Sequence, residues 1–259
     1  MLKSLQALNR RNHRKACVVD GQTAWLGGMN VSDLHLHSVT GADCWRDNGV
    51  RVRGPEVALL DQELQATFNG RRTRPREFEQ LQALRLNSTL RSRRWFKRDL
   101  TRRMDEEQQR VWMMTPYFVP GGRLLRAIRR AARRGLDVRL VIPRRSDVPF
   151  IRWISWRFCE QLMRDGVRVY EYLPRVLHAK SILFGRAAIT GSTNLNHRSD
   201  LHDLEVDVVL EDPATLDRIK TQFMTDFAEA EALTIDKLQR RPWLKRLAGR
   251  LLVIFRSLF

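Results

Sequence analysis

Two copies of one short pattern constrain what this chain can fold into. The first reads His13-Arg14-Lys15, continues through Asp20 and reaches a corner at Gly27-Gly28-Met29-Asn30. The second reads His178-Ala179-Lys180 and reaches its corner at Gly191-Ser192-Thr193-Asn194. Both lie in alternating apolar stretches that read as β-hairpins, the first turning at Asp20-Gly21. In a strand, residues i and i+2 share a face. Each His-x-Lys therefore aims an imidazole and an ammonium into one pocket, and each Asn amide closes the far side.

That set of groups suits a phosphodiester. An imidazole titrating near neutrality is a nucleophile or a proton donor. Lys and Asn donate to phosphoryl oxygens, where charge spreads in the transition state. Two copies supply one histidine to attack and one to protonate the leaving oxygen. This chemistry calls for no metal and no cofactor. His35 and His37 have a spacing that can serve a metal, but no cysteine or third acidic cluster accompanies them, so no metal site is expected.

The doubled pattern resembles the H-x-K-x4-D signature of the phospholipase D superfamily. More narrowly, the chain resembles the bacterial cardiolipin synthases of that superfamily. The narrower resemblance rests on Thr115-Pro116-Tyr117-Phe118-Val119-Pro120, on Val141-Ile142-Pro143, on Gly166 to Tyr172, and on the run from Gly191 through Leu195-Asn196-His197-Arg198-Ser199. It covers residues 9 to 230 or so.

The resemblance implies an α/β chain with a phospholipase D-like fold. Its sheet is expected to be mixed, mainly parallel and flanked by helices, in two repeats of which the first is incomplete. The implied activity is a phosphatidyltransferase acting on an anionic phospholipid, with phosphatidylglycerol as donor and a phosphohistidine intermediate. His13 is the expected nucleophile and His178 the acid and base, an order that the near-symmetry of the copies leaves reversible. Lys15, Lys180, Asn30, Asn194 and Ser192 are expected to bind the phosphate.

A catalytic histidine works best with its other nitrogen held by a carboxylate. Asp47 lies downstream of His13 and Glu205 downstream of His178, each just before an alternating apolar strand. They occupy equivalent places and match the superfamily's acidic partner. Asp20 fills the last place of the signature, where it is expected to support geometry; it reads equally well as a turn residue. The second copy lacks that place: eleven residues separate Lys15 from Gly27, and ten separate Lys180 from Gly191.

Strands are expected over 14–19, 23–27 and 48–53, and Pro55 opens a helix to Phe68. Residues 31–46 read as a loop, and the Arg-, Ser- and Thr-rich stretch 70–95 as a linker. A charged helix over 96–109 follows. Strands at Val111–Thr115, Val138–Ile142, Val167–Tyr172 and Leu204–Leu210 then alternate with helices from Gly121-Gly122 to Gly135, over Pro149–Asp165, and from Pro213 onward. This divides the chain into an incomplete first repeat (1–86), a second repeat (87–232) and a tail (233–259). Only twelve residues precede His13, too few for the strands and helices that precede His178. An exposed sheet edge is expected. An upstream start, a shortened gene, or a partner chain such as a second copy in a homodimer would account for it.

A net charge of +18 seeks polyanions, an anionic membrane or nucleic acid. Cys17, Cys44 and Cys159 are too few and too scattered for a disulfide framework or structural zinc. The N-terminal residues lack the apolar stretch of a signal peptide, and no apolar run reaches the length of a membrane span. Pro242 opens a segment in which Trp243, Leu244, Leu247, Leu251, Leu252, Ile254, Phe255, Leu258 and Phe259 are interrupted by Lys245, Arg246, Arg250 and Arg256. It reads as a basic amphipathic helix for a membrane interface, or else one packed on the body of the protein. The Trp- and Arg-rich helix 149–165 reads as lipid-facing. Peripheral attachment to the cytoplasmic face of a bacterial inner membrane is the resulting expectation. The alternatives are a nuclease or phosphodiesterase of the same superfamily acting on nucleic acid, and an inactive membrane-binding relic.

Overall fold

The structure, a computed structural model, describes residues 11–70 and 83–254. Strands β1 (Ala16–Val19), β2 (Thr23–Gly27) and β3 (Gly49–Arg53) form an antiparallel sheet in that order. The eight strands β4 (Leu84–Leu86), β5 (Arg110–Met114), β6 (Asp137–Pro143), β7 (Arg168–Tyr172), β8 (Ser181–Leu183), β9 (Ala188–Gly191), β10 (Val206–Leu210) and β11 (Ala230–Leu233) form a larger one. Its order is β11-β7-β6-β5-β8-β9-β10-β4. Eight helices accompany the sheets: α1 (Glu56–Phe68), α2 (Leu90–Glu106), α3 (Gly122–Arg133), α4 (Pro149–Arg164), α5 (His197–Leu201), α6 (Pro213–Ala228), α7 (Ile235–Gln239) and α8 (Trp243–Leu252). Short helical turns occupy the loop between β2 and β3, at Asp33–His35, His37–Thr40 and Gly41–Asp43.

The large sheet is mixed, as expected, but it is not mainly parallel. Among the described residues, only β5–β6 and β6–β7 pair parallel within this sheet. A parallel neighbour needs a crossover, and only α3 and α4 supply one between adjacent strands. The second His-x-Lys hairpin adds β8 and β9 antiparallel, β10 and β4 follow suit, and β11 returns antiparallel to β7.

The stretch read as a linker also differs. Its residues 71–82 lie outside the described residues. Beyond them Leu84–Leu86 forms the edge strand, and Thr89 caps α2 in a reciprocal box with Ser92. Ser and Thr signalled a helix start there rather than a loop.

Alternation along the strands sorts the core into two layers. Val111 and Met113 of β5 face α2, α3 and α4 together with Leu140 and Val169. Trp112 and Met114 face the other way, against Phe223 and Phe227 of α6. A third cluster joins Ala24 and Leu26 of β2, Val57 and Leu60 of α1, and Leu84 and Val206 of the large sheet. The small sheet is therefore fused to the large one through its apolar face. Arg46 strengthens the junction: its guanidinium donates to both carboxylate oxygens of Asp226 in α6, at 2.8 and 2.7 Å.

Helix α4 is core rather than lipid-facing. Ile151, Ile154, Trp156, Phe158, Cys159 and Leu162 are buried. Helix α8 packs along it, with Gly249 so close to the Trp153 carbonyl that any side chain there would collide. The far side of α8 stays bare: Trp243, Leu244, Leu247, Leu251 and Ile254 are exposed. Phe255 to Phe259, which the tail argument also used, lie outside the described residues. Among the described residues, no helix is long and apolar enough to cross a membrane.

Candidate active site

The backbone decides which carboxylate meets which histidine. The His13 N–H donates to the Leu204 carbonyl at 2.9 Å, and Leu204 N–H donates back to Arg11 at 2.8 Å. The His178 N–H donates to the Arg46 carbonyl at 2.8 Å, and Arg46 N–H donates to Val176 at 2.8 Å. Each motif thus runs parallel to the segment that leads into the other copy's acid, through short bridges at Asn12–Leu204 and Arg46–Leu177. The acids are exchanged. His13 Nδ1 lies 2.9 and 3.1 Å from the two oxygens of Glu205. His178 Nδ1 lies 2.6 Å from Asp47 Oδ2. Reading downstream along each copy pairs His13 with Asp47 and His178 with Glu205; the fold crosses them.

The residue between His and Lys points the opposite way, although both motifs lie just ahead of the strands expected to carry them, His13–Lys15 before β1 and His178–Lys180 before β8. Arg14 is buried against Glu63 at 3.0 Å, and Ala179 is buried in the core. The glycines of the two corners make room for acids. A side chain at Gly28 would collide with the Asp47 carboxylate, and one at Gly191 with Asp207 and the Val206 carbonyl.

Glu205 is held from several sides. The Ser192 hydroxyl donates to it at 2.5 Å and the Ser199 hydroxyl at 2.7 Å, while its own N–H donates to Asn87 Oδ1 at 2.6 Å. Ser192, expected to bind phosphate, spends its proton on this carboxylate instead. Asn48 does a similar service in the other half. Its Oδ1 accepts the Lys180 N–H at 3.2 Å, and its Nδ2 donates to Ser181 at 2.8 Å and to Thr190.

Both ammonium groups stay with their histidines. Lys15 Nζ donates to the His13 carbonyl at 2.9 Å. Lys180 Nζ donates to the His178 carbonyl and stands 2.9 Å from His178 Nδ1. Burial lowers the pKa of Lys15, opposed by Glu205 and Asp47. Burial pushes Lys180 down to about 7, opposed by Asp47 and Glu205, with Lys15 adding to the fall. Both carboxylates therefore act on both lysines, as one pocket demands. Burial likewise pushes His178 down to about 4; the Asp47 hydrogen bond resists and the Lys180 charge assists.

The remaining expected residues divide. Asn194 is buried, and its Oδ1 has no hydrogen-bond partner. Asn30 is exposed beyond its corner. Asp20 takes the turn reading: it is exposed, with φ +52°, at the closed end of the β1–β2 hairpin. Lys15 and Gly27 mark the open end, so Asp20 stands away from the pocket.

The site also contains residues that sequence reasoning missed. Asn48, Asn87 and Ser199 orient the acids and motif strands, and His35 and Trp45 pack against His178 with ring centroids 5.6 and 5.2 Å away. Asn48 directly follows Asp47, and Ser199 ends the run already singled out, so both had a local signal. Asn87 had none, and His35 was singled out only for its spacing from His37, not for a place beside His178. His35, Asp47 and His178 also bring potential metal-ligand atoms within 4.8 Å of one another.

Two histidine–lysine pairs in one pocket, each completed by the other copy's carboxylate on one α/β framework, define the class. In these features the chain resembles the phospholipase D superfamily. The sequence profile described as cardiolipin synthase, PLD-like domain matches residues 100–227. A cardiolipin synthase of Staphylococcus aureus is 29% identical over 253 residues, covering 92% of this chain and 51% of that protein. Cardiolipin synthase A of Pseudomonas entomophila is 32% identical over 260 residues, covering 94% and 53%. Within the superfamily, then, this chain is similar in sequence to cardiolipin synthase-type PLD-like domains. It spans about half the length of the curated relatives it matches. The crystal structure of phosphatidylserine synthase from Haemophilus influenzae superposes with a TM-score of 0.69 over 96% of this chain and 70% of that one, at 13% identity. That likeness confirms the phospholipase D-like fold.

Proposed function

We propose that the chain is a phosphatidyltransferase of the cardiolipin synthase type, taking phosphatidylglycerol as donor. The observation that carries this reading is the crossed pair of histidine–carboxylate couples sharing one lysine-lined pocket. One imidazole Nε2 attacks phosphorus and the glycerol oxygen leaves with a proton from the other. A phosphatidyl-histidine remains. The hydroxyl of a second lipid then attacks phosphorus, giving its proton back to the second imidazole and freeing the first.

Three features assign His178 as the nucleophile and His13 as acid and base, reversing the order preferred from the sequence. Burial keeps His178 neutral at pH 7, as attack requires. The Lys180 ammonium beside its Nδ1 disfavours an imidazolium there. His13, by contrast, has a side chain 29% exposed and both oxygens of Glu205 at its Nδ1, so a carboxylate orients the imidazole while water can reach it. Lys15, Lys180 and the Asn194 amide are assigned to the phosphoryl oxygens, and Asn30 to the rim.

The pH profile tests the electrostatics. The attacking His178 must be neutral, so its acid limb in kcat/KM should lie near about 4 rather than at the ordinary histidine value. Lys180 must be charged, so kcat/KM should decline as pH rises past about 7. The bound phosphate anion favours the ammonium, so kcat should decline at a higher pH than kcat/KM. Coincident alkaline limbs in the two profiles would remove Lys180 from phosphate binding.

The same reading supplies a membrane surface. Trp243, Leu244, Leu247 and Leu251 form the exposed row of α8, continued by Ile254 just past its end, with Lys245, Arg246 and Arg250 on the same helix. Such a helix lies in an anionic interface, each cation contributing roughly 1 kcal/mol. The proposed location is the cytoplasmic surface of a bacterial inner membrane. Leu244→Asp with Leu251→Asp should weaken binding to phosphatidylglycerol vesicles at least about tenfold, leaving the fold unchanged. Undiminished cosedimentation would separate α8 from the membrane.

The activity is tested by incubating the chain with phosphatidylglycerol vesicles and following the lipids by mass spectrometry. Cardiolipin and glycerol appearing together support the transfer. Cleavage of oligonucleotides without lipid turnover assigns a nuclease instead, and vesicle binding without either product assigns a binding role.

A further inference from the structure

The cluster around His178 holds one group the reaction does not use. His35 comes from the helical turn after β2, and its side chain is 5% exposed. Neither ring nitrogen has a hydrogen-bond partner. Burying an imidazole with both nitrogens unsatisfied is costly, and such a group calls for an explanation. Its Nδ1 lies 3.8 Å from Asp47 Oδ2, the same oxygen that lies 2.6 Å from His178 Nδ1. Trp45 packs against both imidazoles, with centroids 5.5 Å from His35 and 5.2 Å from His178, and so limits their rotation.

We propose that His35, Asp47 and His178 form a transition-metal site for Zn2+ or a similar divalent ion, and that its occupation switches the active site off. Two imidazoles and one carboxylate, with a fourth position for water, make a familiar zinc donor set. Bonds of about 2.0–2.1 Å in a tetrahedron place ligand atoms about 3.3 Å apart. The distances of 2.6 and 3.8 Å straddle that value, so small side-chain rotations close the site. The ion replaces the proton shared by Asp47 and His178, and that proton passes to solvent. With Nδ1 on a cation and Asp47 taken from it, the His178 imidazole loses electron density at the nitrogen that attacks.

The Lys180 ammonium, 2.9 Å from His178 Nδ1, opposes the ion. Binding is therefore weaker than at a structural zinc site, and a chelator reverses it. The His35–His37 spacing does not make this site: His37 is exposed and outside the cluster. The inhibition rests on the proposed transfer chemistry, whereas the binding stands without it.

Cobalt(II) is the probe. Titrated into the metal-free chain, it should produce the visible bands of a four-coordinate centre, saturating at about one equivalent, and Zn2+ should then bleach them. His35→Gln and His35→Phe should each abolish the bands, with His37→Ala keeping them. Absence of bands in the wild type overturns the site. So do bands that persist in His35→Gln when circular dichroism shows the fold intact. In the lipid assay, saturating Zn2+ should slow the wild type at least about tenfold and His35→Gln much less, with recovery on adding a chelator. Cobalt bands together with unhindered turnover would overturn the switch and leave the site standing. A chain with no transferase activity would fail the proposed function, and the spectra would still decide the site.

Discussion

Replacing His178 with alanine is expected to abolish cardiolipin formation, a loss of at least about a thousandfold, because the imidazole that attacks phosphorus and carries the phosphatidyl intermediate is then gone. His13→Ala should be as damaging with the natural donor, where the glycerol oxygen must be protonated as it leaves. The two variants separate on a phosphodiester with a good leaving group such as p-nitrophenolate. That departure needs no acid. His13→Ala should then release a burst of about one p-nitrophenolate per chain and stall as the phosphohistidine. His178→Ala should release none. A burst from His178→Ala alone would restore His13 as nucleophile, and bursts from both would remove the covalent intermediate. Circular dichroism should show both folds intact, since neither imidazole belongs to the apolar clusters of the core.

The exchange of acids between the two copies makes the second strong prediction. Asp47→Asn should lower turnover by about a hundredfold to ten-thousandfold, as expected when an imidazole loses the carboxylate that sets its tautomer. The lesion should register on His178, although Asp47 lies in the sequence neighbourhood of His13. Nitrogen NMR of the two imidazoles reads this directly. Asp47→Asn should shift the His178 nitrogens and leave His13 in place; Glu205→Gln should do the reverse. The sign is also set. Asp47 opposes the burial that depresses His178, so removing its charge should lower the His178 pKa further below about 4. Shifts that follow sequence proximity would contradict the crossed arrangement.

The chemistry of the pocket was legible because it depends on the strand's two-residue period. His13 with Lys15, and His178 with Lys180, share a face in any strand, so neighbours along the chain suffice to identify them. The β1–β2 hairpin and helices α3, α4 and α6 were legible for similar reasons: turn residues, a proline at the start and an apolar stripe are local signals. The sense of the outer strands was not. Strands β4 and β11 were not read at all, β4 lying in the stretch read as a linker, and the sense of β10 depends on where connecting chain returns, since alternation reads the same in both directions. Burial of α4 was misread because Trp153 and Arg152 say what its surface carries, while α8 and the sheet decide which side is covered.

The sequence by itself determined the reactive groups: two imidazoles, two ammonium groups, two acids, and a glycine, Gly28, small enough to let Asp47 approach. Only the tertiary structure decided their partnership. The bridges Asn12–Leu204 and Arg46–Leu177 lay each motif along the other's acidic segment, crossing Glu205 to His13 and Asp47 to His178. The same packing lowered the pKa values of His178 and Lys180, turned the Ser192 hydroxyl toward Glu205, and brought His35 to Asp47. Burial and long-range pairing are properties of the folded chain, and neither has a counterpart in the order of residues along it.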